Sequence, residues 1–126
     1  MRSFDWDEYQ QLARVLADPG VILRASDTAR QRAAVSRSYY AAFCLARSYL
    51  RTRNGQSYSG PDAHQQVRTD FNRRPERAAQ DIARMLRTVQ VERNHADYDD
   101  NYNVSANLAT VFNRVEQILT LLKTLP

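Results

Sequence analysis

The sequence predicts an all-α fold: an up-and-down four-helix bundle plus a short extra helix. Three observations carry that prediction. Only three glycines and four prolines occur in 126 residues, so few positions interrupt a helical ladder. Alanine, leucine, arginine and glutamine, all good helix formers, are abundant. Apolar residues recur at spacings of three and four over stretches too long for strands. The length is that of one domain with a real core, taken as residues 1–126, and no repeat or low-complexity stretch divides it.

The first helix is expected from about Phe4 to Leu16, with Leu12, Val15 and Leu16 on its apolar side. Asp18-Pro19-Gly20 stops it, because proline and glycine both interrupt the ladder. The second is expected from about Thr28 to Arg53, with Asp27 as its N-cap. Its buried stripe is Val35, Tyr39, Ala42, Phe43, Ala46 and Leu50, and the small side chains of Ala41, Ala42 and Ala46 admit a close neighbour. Asn54-Gly55 caps it, and a polar connection containing Tyr58 runs from Ser57 to Pro61.

A short third helix, about Asp62 to Asn72, is anchored by Val67 and Phe71. Pro75 suits the first position of the fourth, where its missing N–H costs nothing. Ala78, Ile82, Met85, Leu86 and Val89 form that helix's stripe, and its end is expected near Asn94 or Ala96. Asp97 to Val104 then reads as a connector and Ser105 as the N-cap of the last helix. There Leu108, Val111, Phe112, Val115, Ile118, Leu119 and Leu122 make the cleanest apolar stripe in the chain.

Composition narrows the function. No apolar run reaches bilayer length, and the first residues lack a signal peptide's apolar stretch. The single cysteine, Cys44, permits no intrachain disulfide and fits a reducing cytoplasm, so a cytoplasmic location is expected. His64 and His95 are too far apart in sequence to offer a ligand spacing, so neither a metal nor a cofactor is expected. The net charge of +4 is built from seventeen arginines and one lysine, Lys123, against 14 acidic residues. Arginine's planar fork suits phosphate, although a GC-rich genome produces the same excess without functional cause. Weight therefore falls on arginines grouped on one face.

Two places qualify. On the central helix, Arg37, Tyr40, Cys44, Arg47 and Arg51 follow spacings of three and four and share a face offset from the buried stripe. That row suits an RNA groove, a facing subunit or simply a solvated surface. At the rim of the fourth helix, Arg93-Asn94-His95-Ala96-Asp97-Tyr98-Asp99-Asp100 packs an unusual density of polar side chains where the core stripe runs out. It reads either as a site or as a densely hydrogen-bonded helix end. A salt bridge from Arg93 to Asp97 four residues on, a cap at Asn94, a packed Tyr98 and a surface or capping His64 are the plain structural readings.

Ser36-Arg37-Ser38-Tyr39-Tyr40-Ala41-Ala42-Phe43 early and R-N-x-x-x-Y late resemble the HEPN family (higher eukaryotes and prokaryotes nucleotide-binding domain). The late string Arg93, Ala96, Asp97, Tyr98, Asp99 is similar to the R-x-x-A-D-Y-D of a small prokaryotic branch, and the likeness covers roughly residues 5 to 124. The resemblance implies a helical bundle and a homodimer that brings two late motifs together in a cleft. In catalytic members R-x(4–6)-H supports metal-independent RNA cleavage, in which the ribose 2′-OH attacks the adjacent phosphorus. Histidine suits the proton transfers and arginine the charge on phosphorus. Here Tyr98 stands where that histidine is expected, and a phenol is a poor general base at neutral pH. His95, two residues after Arg93, falls on roughly the opposite side of a continuous helix and reaches Arg93 only if the helix has unwound.

HEPN proteins are often paired with a minimal nucleotidyltransferase as toxin and antitoxin, and in some pairs a tyrosine near the motif is adenylylated. Tyr98 and Tyr102, the latter expected to carry an accessible hydroxyl, are the two positions here that suit such a modification. Three functions follow. The first is a toxin-like endoribonuclease using Arg93, Asn94, Tyr98 and His95, with RNA held by Arg37, Tyr40, Arg47 and Arg51. The second is a non-catalytic module that binds a nucleotidyltransferase partner or a nucleotide. The third is a structural helical dimer. The first two rest on Arg93 facing an open, water-accessible cleft.

Overall fold

The computed structural model describes residues 4–20 and 25–126. They form five helices: α1 (Asp7–Ala17), α2 (Asp27–Asn54), α3 (Ala63–Arg73), α4 (Arg77–Tyr98) and α5 (Val104–Thr124). Helix α2 packs against all four others, while α4 also packs against α3 and α5. A helix so placed must be apolar or small on most sides. Accordingly α2 buries Val35, Tyr39, Ala42, Phe43, Ala46 and Leu50, the stripe read from sequence, and also Ala34, Ala41 and Cys44. The core continues through Val67 and Phe71 of α3, Ile82, Leu86 and Val89 of α4, and Val111, Val115 and Ile118 of α5. No helix of the described residues is long and apolar enough to cross a membrane.

Several boundaries differ from the sequence reading, each for a local reason. Helix α1 starts at Asp7 and not Phe4, because Asp5 turns back to accept from the Asp7 amide at 3.0 Å. Its buried positions are Gln10 and Ala13, whereas Leu12 and Val15 are exposed. Burial of Gln10 is supported by hydrogen bonds, since its Oε1 accepts from Ser38 Oγ at 2.7 Å and its Nε2 donates to Glu116 Oε1 at 3.2 Å. The N-cap of α2 is Ser26 and not Asp27; Ser26 Oγ accepts from the Ala29 amide at 3.1 Å. Asp27 is the first helical residue and pairs with Arg30. Gly55 closes α2 in the left-handed region at φ 71°, as Asn54-Gly55 predicts.

Pro75 lies ahead of α4, whose N-cap is Glu76, and Ala79 rather than Ala78 is the fully buried alanine there. Asn103, not Ser105, caps α5, its side chain accepting from the Ala106 amide at 3.3 Å. The largest difference is the end of α4. Residues Asp97 and Tyr98, assigned from sequence to a connector, are helical. Arg32 of α2 explains this: its Nη1 donates to the Ala96 carbonyl at 3.0 Å, and its Nη2 reaches the carbonyls of Asp100 and Tyr102 at 3.4 Å. A half-buried cation is thereby supplied to the Ala96 carbonyl, which the helix end leaves without an intrahelical partner, and to two carbonyls of the turn that follows.

Candidate functional site

The Ser36–Tyr40 string anchors the site, because consecutive helical residues point about 100° apart and five of them address every direction around α2. Ser36 Oγ donates to Asp97 Oδ2 of α4 at 3.4 Å. The Arg37 guanidinium lies 4.9 Å from the Tyr9 ring centre of α1, and Ser38 bonds Gln10 of the same helix. The Tyr39 hydroxyl meets Nδ1 of His64 on α3, and Tyr40 faces the Arg93 guanidinium of α4 at 5.2 Å. One short segment thus fixes the register of three neighbouring helices.

Arg93 does not open into a water-filled cleft. Its side chain is 11% exposed and is tied to Asp97 Oδ2 at 3.5 Å, the pair expected from the four-residue spacing. The guanidinium rests against Tyr39 and Tyr40, with 5.5 and 5.2 Å to the ring centres, and its buried Nε has no hydrogen-bond partner among the described residues. The aromatic faces offer a weaker electrostatic substitute for an acceptor.

The other three candidates of the late motif sit elsewhere. Asn94, His95 and Tyr98 border a shallow recess on a different side of α4 together with Asp99. The helix has not unwound, so His95 stays away from Arg93; its Nδ1 lies 3.1 Å from Asp99 Oδ2 and its ring stacks on Tyr102. Asp99 accepts from the Asn101 amide at 3.0 Å, and that bond, with a further one to His95, holds its carboxyl below the usual range. Tyr98 is 78% exposed, so it is no packing residue. Tyr102 is the reverse. Its hydroxyl donates to Glu92 Oε2 at 2.5 Å, and burial followed by that carboxylate pushes the phenol well above its ordinary value. The accessible hydroxyl expected there is not found.

A second concavity gathers what the sequence kept apart. Arg37, Tyr40, Phe43, Cys44 and Arg47 of α2 form one wall of a cleft of about 430 Å³; Trp6 and Tyr9 close one side, and Gly60 and His64 the other. The helical row read from sequence is therefore real in space, except that Arg51 leaves it to donate from Nε to the Ser57 carbonyl at 2.5 Å. Cys44 is buried, and desolvation pushes its thiol up despite Arg47, Arg51 and Arg37 nearby. The Arg47 guanidinium lies over Phe43 at 5.3 Å, and its buried Nε is unpaired among the described residues.

His64 is the residue that sequence reasoning missed. Expected on the surface or as a cap, it instead stacks on Phe43 with 4.0 Å between ring centres and 14° between planes. Burial, then the charges of Arg93, Arg68 and Arg47, hold its imidazole below the ordinary histidine range. Nothing local in the sequence signals this, since Tyr39 and Phe43 reach it across twenty residues or more.

A family model described as HEPN domain matches residues 23–125. The chain belongs to the HEPN family. No curated protein and no solved structure matches it. Within this HEPN domain the matched span includes α2 to α5 and hence the Arg93 string, His64 and the arginine row, while Trp6 and Tyr9 of the cleft lie outside it.

Proposed function

We propose that this HEPN domain is a binding module for a phosphate-bearing ligand of the nucleotide or single-stranded RNA class, taken up in the α1–α2–α3 cleft. The observation that carries the reading is the convergence of Arg37 and Arg47 with Trp6, Tyr9, Tyr40 and His64 around one concavity that, among the described residues, no carboxylate side chain lines. Arginine forks match phosphate oxygens, and exposed aromatic faces accept bases without regard to sequence. In this reading the module is the toxin-side member of a toxin–antitoxin pair, acts as a homodimer, and meets a minimal nucleotidyltransferase on the Asn94–Asp99 recess. The exposed Tyr98 hydroxyl is the acceptor for any transferred nucleotidyl group.

Cleavage by Arg93 with Tyr98 or His95 draws no support from a single subunit, because Arg93 faces α2 while the other two face the recess. The test is binding of a fluorescent single-stranded oligoribonucleotide across a salt series. Arg37→Ala and Arg47→Ala should each weaken binding by about tenfold and flatten the salt dependence, with helicity unchanged. Binding unaffected by both substitutions would refute the reading.

A further inference from the structure

The binding reading leaves open which phosphate the cleft recognises. Resting on that reading, we propose that the cleft takes a terminal phosphate, a phosphate monoester at an RNA end or on a mononucleotide, with Arg37 and Arg47 supplying charge and Nε2 of His64 the discriminating contact.

The imidazole is held as a recognition group would be. Its Nδ1 is engaged by the Tyr39 hydroxyl and its plane is fixed by stacking on Phe43, so Nε2 has one direction available. Among the described residues Nε2 makes no hydrogen bond, nor does it belong to the buried unpaired atoms, which are Arg47 Nε and Arg93 Nε. Nε2 therefore keeps exposed surface, on a residue that lines the cleft. Arg47 adds an independent pointer. Its side chain lines the cleft, and its one hydrogen bond among the described residues is a long contact of 3.7 Å from Nη2 to the Cys44 sulfur. The guanidinium is thus not neutralised by any carboxylate, and its charge is left for an anion.

Size and charge then choose among phosphates. A concavity of about 430 Å³ has room for one nucleotide, free or at a chain end. The groups facing His64 are Arg37, Tyr39, Tyr40, Cys44 and Arg47 of α2, Tyr9 of α1, Arg68 of α3 and Arg93 of α4. They are cationic or neutral, so the empty cleft favours the neutral imidazole. A monoester brings up to two negative charges where an internal diester brings one. It therefore favours protonated His64 more strongly. With Nδ1 accepting from Tyr39 the neutral ring carries its hydrogen on Nε2, and a proton taken from solvent at Nδ1 gives the imidazolium. In that form Nε2–H donates to a phosphate oxygen and Nδ1–H to the Tyr39 oxygen, whose hydroxyl hydrogen rotates away.

The experiment compares a 5′-phosphorylated single-stranded oligoribonucleotide with its 5′-hydroxyl twin, and AMP with adenosine as competitors, on the full chain. The phosphorylated oligonucleotide should bind about tenfold tighter near pH 6.5, the size of one charge-assisted contact. Calorimetry in buffers of different ionisation enthalpy should show uptake of about one proton. His64→Gln should keep the weaker binding of the 5′-hydroxyl form but lose both the preference and the proton uptake. Arg47→Ala should reduce the same preference, which guards against a folding defect in the first variant. Competition by AMP and not adenosine supports a mononucleotide ligand, and failure of AMP beside a clear end preference supports an RNA end. Equal binding of the two oligonucleotides, or a preference surviving in His64→Gln, overturns the inference while the binding reading stands. Absence of binding by every probe overturns both.

Discussion

Asp97 holds Arg93 against α2: its Oδ2 lies 3.5 Å from Arg93 Nη1 and 3.4 Å from Ser36 Oγ, so one carboxylate joins the early and late strings of the chain. Such a pair acts as a clamp on the α2–α4 crossing. Because the Arg93 side chain is nearly buried, truncation leaves Asp97 short of its partner and Tyr40 short of a neighbour. Arg93→Ala should lower stability by about 1–3 kcal/mol. Urea unfolding would measure it, and RNA affinity of the folded fraction should fall less than in Arg37→Ala or Arg47→Ala.

Acid should weaken the fold partly through His64. Its folded-state pKa is lowered, so the unfolded chain binds the proton more readily. The contribution is complete above the unfolded value of about 6.5 and is lost as pH falls through the folded value. Unfolding free energies at about pH 7, 6 and 5 should decline less steeply in His64→Gln than in the parent chain.

Alkali should act through Tyr102. Its raised phenol pKa means the native state keeps the proton more tightly, so this contribution is full below about 10 and is lost as pH climbs through the folded value. Tyr102→Phe removes the bond to Glu92 and should cost about 1 kcal/mol at neutral pH. Ultraviolet titration should show one fewer late-ionising phenol in the variant.

Arg32→Ala should loosen the α4–α5 turn. The carbonyls of Ala96 and Asp100 lose their Arg32 donor, and that of Tyr102 keeps only the Val104 amide. Hydrogen exchange should quicken over residues 96–104, and stability should fall by about 1–2 kcal/mol.

Gly55→Ala isolates backbone strain. The position has φ 71°, and a Cβ placed there would meet no atom within 4 Å, so only the left-handed backbone resists the methyl group. A loss of about 1 kcal/mol in thermal unfolding is expected.

The helices are legible in the sequence because burial repeats along them: the stripes of α2, α3 and α5 depend on periodicity, which a single sequence displays. Helix α1 escapes that reading because Gln10 is buried by bonds to Ser38 and Glu116, partners distant in sequence. The end of α4 escapes it for the same reason, since Arg32 lies more than sixty residues before the carbonyls it serves. Of the site, the Arg37–Arg47 row is readable from spacing and the Arg93–Asp97 pair from its four-residue offset. His64 is not, because its role is created by Tyr39 and Phe43 meeting it across the bundle.

Helix α2 spans 28 residues, about 42 Å of continuous rod, and carries Arg37, Tyr40, Phe43, Cys44 and Arg47 on one flank. The backbone positions that carry those side chains cannot shift independently of one another. Any widening of the cavity that moves backbone must come from α1 or α3 sliding along a stationary axle, so an arriving guest that demands such room would be registered at the periphery of the bundle while its centre stays still.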